Sequence, residues 1–233
     1  AHNFSLGYFH NFRDNRWETS AEVFYRAIDK LWDYRDFADL IVNPHLETEI
    51  RHGQGRAYGL ETSLKARSLH WSGQLNYTLS RTERQVAGVN LGQWYPSSFD
   101  QPHNLSAVIS YRIDARQTLT ANFVYATGRP TTAPITNYRI GGGLTVPIYT
   151  QRNQLRIPDY HRLDLSYTVH SRRDKERGFR HSWNITLYNV YARRNPFSVF
   201  FTQAPNQRQD FIANRLSVLG SIFPALTFNF EWL

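Results

Sequence analysis

Trp71-Ser72-Gly73-Gln74-Leu75-Asn76-Tyr77-Thr78-Leu79-Ser80 is the stretch on which the fold turns. Its large apolar side chains stand on odd numbers and its polar ones on even numbers. Successive side chains of a strand point to opposite faces, so this stretch is a strand with one apolar and one polar face. The same period runs through Leu105, Ala107, Ile109, Tyr111 and Ile113, interleaved with Ser106, Ser110, Arg112 and Asp114. It returns in Leu119 to Tyr125, in Leu163 to Val169, and in Leu226, Phe228, Phe230 and Trp232. Helical periodicity is nearly absent.

Composition sharpens this reading. In 233 residues, 41% are apolar and 20% charged, and the mean hydropathy is -0.55. No run approaches the roughly 18 consecutive apolar residues of a spanning helix. Yet aromatics make up 15%, with 6 Trp, 14 Tyr and 15 Phe. That supply on a polar average suits alternating membrane strands with interfacial girdles. Cysteine is absent, which excludes thiolate metal sites, a disulfide scaffold and a Cys nucleophile. The net charge of +8 fits lipopolysaccharide phosphates, nucleic acid or an anionic ligand, and does not choose among them.

The connections choose where alternation cannot, because a soluble sandwich also alternates. Strands are expected near 3–13, 16–29, 54–68, 70–84, 103–114, 117–128, 156–170, 180–203 and 210–232. The joints Asp14-Asn15, Leu69, Ala115-Arg116 and a charged turn at 171–179 are short. Those at 30–53, 85–102 and 129–155 are long, and only 204–209 is brief. Tight turns at one end and long loops at the other mark an outer-membrane barrel. Most of these strands also exceed the five or six residues usual in globular sheets. Gly220 and Pro224 are read as a kink in one last strand, since Ile212, Leu216, Val218, Ile222 and Leu226 to Trp232 keep even parity.

Nine strands is an odd number. Single-chain bacterial barrels close with an even count, and open edges in lipid leave amides unsatisfied. The chain is therefore expected to be the C-terminal portion (1–233) of a larger barrel whose N-terminal strands are absent from it.

Several stretches resemble TonB-dependent outer-membrane receptors, specifically the Bacteroidetes branch with a carboxypeptidase-regulatory-like domain. They are Asn43-Pro44-His45-Leu46-Glu47-Thr48-Glu49 leading into Gly53 to Glu61, and Thr127-Gly128-Arg129-Pro130-Thr131-Thr132-Ala133-Pro134. The most specific is Arg156-Ile157-Pro158-Asp159-Tyr160-His161-Arg162-Leu163-Asp164-Leu165, followed by Tyr188 to Phe197 and the aromatic end Phe228 to Trp232. The resemblance covers essentially the whole chain, in order. It implies the last nine strands of a 22-stranded barrel and import of a scarce ligand across the outer membrane of a Gram-negative bacterium. Implied partners are the remaining barrel and plug, TonB through the N-terminal part, and outer-membrane lipid and lipopolysaccharide. A surface lipoprotein or other outer-membrane subunits complete that set, and nucleic acid is not among them. Two readings compete: a non-transporting barrel scaffold in a larger outer-membrane complex, and a soluble carbohydrate-binding sandwich.

The chemistry-bearing residues read mostly as structural. Asp33, Asp36, Asp39, Glu47 and Glu49 offer oxygen ligands without calcium-loop spacing, so a solvated loop is expected. His103 and His161 fall on the apolar register and His170 and His181 near the short turns, none paired as zinc ligands are. The apolar register carries no Ser for a lipid-facing hydrolase, so no catalytic residue, metal or cofactor is assigned. Gly141-Gly142-Gly143 lacks the lysine of a phosphate loop and reads as a flexible tip. The mixed-sign run Arg172-Arg173-Asp174-Lys175-Glu176-Arg177 reads as a solvated turn. The sequons at Asn3, Asn76, Asn104 and Asn184 sit on the polar register and read as hydrogen-bonding lumen residues. Glu18, Glu22, Arg26, Glu61, Lys65, Arg67, Arg112, Asp114, Arg162 and Asp164 share that register and are expected to face lumen and plug. Ligand contacts are expected from loops 30–53, 85–102 and 129–155, without assignment to individual residues.

Overall fold

The computed structural model describes residues 1–41, 43–140, 144–149, 151–171, 179–203 and 211–232. The glycine run, the basic turn Arg172 to Arg177, the joint 204–209 and Leu233 therefore lie outside the described residues. The strands are β1 (His2–Phe12), β2 (Trp17–Tyr34), β3 (Ile50–Arg67), β4 (Trp71–Val86), β5 (Tyr95–Pro96), β6 (His103–Arg112), β7 (Gln117–Ala126) and β8 (Pro130–Thr131). They continue as β9 (Thr136–Ile140), β10 (Leu144–Ile148), β11 (Leu155–Arg156), β12 (Tyr160–His170), β13 (Phe179–Tyr188), β14 (Pro196–Gln203), β15 (Phe211–Ser217) and β16 (Phe223–Trp232). Two 3-10 turns, Leu46–Glu49 and Asn90–Gly92, lie in loops.

One antiparallel sheet carries nine long strands in the order β1-β2-β3-β4-β6-β7-β12-β13-β16, with short β5 beside β4. Among the described residues no pairing joins β1 to β16, so the sheet has two edges. The short turns all lie at one end. At the first of them Arg13, Asp14 and Asn15 adopt left-handed backbone (φ 52, 54 and 61), a conformation that short polar Asp and Asn tolerate best.

The ladder fixes the faces, because residues paired across an antiparallel ladder point the same way. Tyr77 pairs Leu105, which pairs Tyr125, which pairs His161. Tyr111 pairs Leu119, Phe123 pairs Leu163, and Trp183 pairs Phe228. Tyr77, Tyr111, Phe123, Leu165 and Phe228 thus share the apolar face, while Asn76, Arg112, Asn122, Asp164 and Asn229 share the polar one, as the alternation requires.

The chain corrects the expected ends of the sheet. The stretch 180–203 breaks at Asn189–Asn195 into β13 and β14, and 210–232 breaks at Val218–Ile222 into β15 and β16. β14 pairs β15 in a separate hairpin. The even parity across Gly220 was therefore no proof of one continuous strand. The wall count stays at nine, and the connection between β13 and β16 becomes a long one carrying a hairpin. All long connections now gather at one end. Loop 129–155 likewise holds the β9–β10 hairpin.

Among the described residues, no second layer covers either face of the sheet. The chain exposes 16378 Å², against about 10,900 Å² for a compact monomer of this mass. Phe4, Leu6, Val23, Trp71, Ile109 and Leu226 are exposed between 50% and 76%. A soluble sandwich would bury one face of each sheet, so that alternative loses its structural basis. The buried apolar cluster is Val86, Val89 and Tyr95 with Leu31 against it, at the long-loop end.

Candidate functional site: the polar face and the long-loop end

On the polar face, short side chains form hydrogen-bonded ladders across the strands. Ser63 donates to Asn76 Oδ1 at 2.8 Å, and Asn76 donates to Ser106 at 3.1 Å. Asn184 donates to Thr168 at 2.7 Å and accepts from Thr186 at 2.6 Å. Asn3 accepts from Arg26 at 2.7 Å. Three of the four sequon asparagines are thus engaged in hydrogen bonds of the wall. Glu18 lies 3.8 Å from Lys65 and 3.7 Å from Arg67, exposed pairs of small energetic weight.

The long-loop end is built differently. β2 carries one extra residue between Ile28 and Leu31 relative to β3, with Lys30 left-handed at φ 57. Such a bulge flips the faces of everything beyond it. Asp33, odd-numbered and otherwise due on the apolar face, therefore turns to the polar side. There it accepts from Tyr95 at 3.1 Å and Arg84 at 3.3 Å, and pairs Arg152 at 3.1 Å. Burial first, then the Asp33 charge, pushes the Tyr95 phenol well above its usual range, so Tyr95 is a permanent donor.

Arg152 ties three loops together. It reaches Asp36 at 3.2 Å and the Arg35 carbonyl at 3.2 Å, and its amide donates to Asn90 at 2.6 Å. Asn153 donates to the Pro96 carbonyl at 2.8 Å. Arg35 in turn holds Glu49 at 2.6 and 3.0 Å, and this guanidinium lowers the Glu49 carboxyl. Three of the five acidic side chains expected to be solvated, Asp33, Asp36 and Glu49, are thus ion-paired. Glu47, 3.7 Å from His45, and Asp39 stay in the exposed loop.

The stretches behind the family resemblance converge here as well. β8 pairs β11, joining Pro130 to Arg156. Arg156 hydrogen-bonds the Asp100 carboxylate, the Asp100 carbonyl at 2.7 Å and the Gly128 carbonyl at 3.0 Å. Asp100 is 1% exposed and also accepts the Thr82 amide at 2.6 Å. Asp159 accepts from Tyr125 at 2.7 Å and from the Gly128 amide at 2.9 Å, which together lower its carboxyl, Tyr125 most. A Cβ on Gly128 would lie 1.6 Å from the Ile157 carbonyl oxygen, so only glycine allows this approach. Asn195 bridges both backbone groups of His161, at 3.1 and 2.8 Å. Buried Asn189, in the β13–β14 break, donates to the Leu219 carbonyl in the β15–β16 break at 3.1 Å.

The outcome is a set of loops seated on a packed base, with a cleft of about 440 Å³ between Tyr34, Arg35, Phe37, Thr132, Tyr149 and Arg152. Phe37, Ile41 and Leu91 project outward, exposed 78%, 82% and 98%. His161 lies 2.8 Å from the Tyr191 hydroxyl and His103 2.8 Å from Tyr77, aromatic neighbours on the apolar face. Sequence reasoning missed Arg152, Asn153 and Asn189 as organisers. Nothing periodic marks them, although Arg156, Asp159 and Asn189 to Asn195 lay within the resembling stretches.

No family model matches the chain, and no curated protein does. Solved structures match its fold. The ferric-catecholate import receptor Fiu from E. coli K12 aligns over 99% of this chain with a TM-score of 0.58 and 13% identity. The FrpB iron transporter from Neisseria meningitidis aligns over 98%, with a TM-score of 0.59 and 11% identity. FpvA of P. aeruginosa, solved with pyoverdine and iron, aligns over 99% at 0.54 and 15%. The chain spans 27%, 31% and 26% of those three chains. Its nine-stranded antiparallel sheet has the fold of a portion of a transmembrane receptor barrel.

Proposed function

We propose that residues 1–233 form the C-terminal wall of a TonB-dependent outer-membrane receptor that imports a scarce ligand. The observation that carries this is the single-layer sheet with an uncovered apolar face and all its long connections at one end. In a membrane, that face meets hydrocarbon, and the polar face meets a hydrated lumen and a plug. The edges β1 and β16 pair with further strands, because hydrocarbon cannot satisfy their amides. The carboxypeptidase-regulatory-like branch is supported by the resembling stretches, and several of these knit the loop base. Iron import by the structural neighbours makes an iron chelate the first ligand to try.

The loop end lies outside the cell in this reading and gates ligand entry. In the whole receptor, removing Phe228 to Leu233 abolishes assembly, read as lost heat-modifiable mobility. Removing residues 137–148 leaves the barrel assembled and impairs energised uptake. Uptake that survives collapse of the proton gradient across the inner membrane contradicts TonB dependence.

A second reading, a scaffold within a larger outer-membrane complex, is favoured by the exposed Phe37, Ile41 and Leu91. Apolar side chains clustered on loops mark protein contacts. Replacing them with serine separates the two: a scaffold loses co-purifying subunits, whereas a solitary importer does not.

A further inference from the structure

The apolar face is not uniform. Near the long-loop end, one cross-strand row runs Phe4, Tyr25, Tyr58, Arg81. The next row toward the short turns is Leu6, Val23, Leu60, Leu79. These rows line an apolar groove of about 980 Å³. At its mouth, Arg56 and Arg81 both hold Glu83, at 2.7 and 2.8 Å. The Glu83 side chain is 7% exposed, while those of Arg56 and Arg81 keep 36% and 56% of theirs. Two guanidiniums against one carboxylate leave one uncompensated positive charge facing outward.

The height of this charge matters. Arg81 stands ten residues beyond Trp71, the aromatic at the short-turn end of the same strand. At about 3.4 Å per residue and a tilt near 40°, that is a rise of about 26 Å, matching an apolar band of about 25 Å. Arg56 and Arg81 therefore sit where hydrocarbon gives way to headgroups. Lipid chains would lie in the groove below them, along leucine, valine and the stacked Tyr25–Tyr58 pair, 6.4 Å apart.

We propose that this groove is a binding site for a phosphorylated glycolipid of the outer leaflet, with an acyl chain in the groove and its phosphate on Arg56 and Arg81. Arginine suits this role because its planar fork meets phosphate oxygens while keeping bonds to a carboxylate. Glu83 then acts as a positioning residue: it spreads the two guanidiniums and moderates their charge. The proposal rests on the reading that the apolar face meets lipid.

The test uses the full-length receptor extracted from its own outer membranes in mild detergent, with bound lipid identified by native mass spectrometry. Arg81→Gln removes a phosphate contact and leaves Arg56 on Glu83. Leu60→Trp fills the groove and leaves every charge in place. Arg81→Gln should cut retained phosphoglycolipid on the order of tenfold, the effect of losing one charge-assisted bond, and Leu60→Trp should lower it by occupying the place of the acyl chain. Glu83→Gln frees charge and should raise retention. Equal retention in all three variants overturns the proposal, as does a polypeptide released by Leu60→Trp in place of lipid. Leu165→Arg, on the apolar face outside the groove, separates the two levels. If it blocks assembly while the parent retains no lipid, this proposal falls and the membrane reading stands. If it is tolerated, the membrane reading itself falls.

Discussion

The wall and the loop end of this chain solve the same problem, satisfying polar backbone and side chains, by opposite means. The wall has no interior. Its backbone is satisfied strand to strand, and its side chains answer first to which face they stand on and then to cross-strand neighbours, as in the ladder Ser63–Asn76–Ser106. The loop end has the buried apolar cluster of Val86, Val89 and Tyr95 and concentrates its bonds on a few hubs, Asp33, Arg152, Arg156 and Asn189. The difference teaches where mutation is local and where it spreads. A wall residue can be exchanged within its face, whereas a hub residue holds several loops at once.

The sharpest way to break this contrast is Arg156→Ala. It strands the Asp100 carboxylate, 1% exposed, and removes the tie to Gly128. Leaving a buried charge unpaired costs about 3–5 kcal/mol. Hydrogen exchange should show loss of protection through 96–102 and 127–132, with β6 and β7 unchanged at mid-strand. Uniform loss across the wall would mean that the two regions are not independent.

Next in size is a test of the wall's own rule. Leu165→Arg should cost about 2–4 kcal/mol in lipid, and Ser166→Arg, one residue away on the polar face, much less. Urea titration of the refolded full-length protein measures both. Equal losses would contradict the assigned faces.

That rule is why the wall was legible in the sequence. Period two is local, so Trp71 to Ser80 declares both faces without knowing its neighbours, and the ladder reproduces the assignment residue for residue. The loop end was not legible, for two physical reasons. Its contacts join residues far apart in sequence, as Asn90 with Arg152 and Asp100 with Arg156 do. A one-residue bulge at Ile28–Leu31 also reverses the parity that would place Asp33. The break at Val218 to Ile222 was hidden similarly, because β15 and β16 keep one parity while belonging to different sheets.

Tyr125→Phe is a gentler probe at the junction of the two regions. It removes the phenol that donates to Asp159 at 2.7 Å, a charge-assisted bond of about 1.5–3 kcal/mol. The expected readout is faster exchange at Gly128 and Ile157 and little change in overall assembly.

The smallest expected effect is a pH dependence confined to the loops. Hydrogen bonding from Tyr125 lowers the Asp159 carboxyl, and bonding from Arg35 lowers Glu49. A carboxyl depressed by folding contributes stability that is complete above its unfolded pKa. That contribution is lost as pH falls through the depressed folded value. Loop protection should hold down to the ordinary carboxylate range, about pH 4, and fall below it, while mid-strand protection in β6 and β7 stays flat. A wall that loosens in step with the loops would erase the contrast.

The central claim, that this sheet crosses an outer membrane with its long connections outside, is tested most directly by single thiols, since the chain contains no cysteine. Leu91→Cys places a thiol at a loop position 98% exposed, and Asp14→Cys places one in the first short turn. In intact cells carrying the full-length protein, with any cysteine outside this chain replaced by serine, a membrane-impermeant maleimide should label position 91. Position 14 should react only after the outer membrane is permeabilised, with the parent receptor unlabelled throughout. Labelling of position 14 in intact cells with position 91 protected, or equal labelling of both before permeabilisation, would contradict the account.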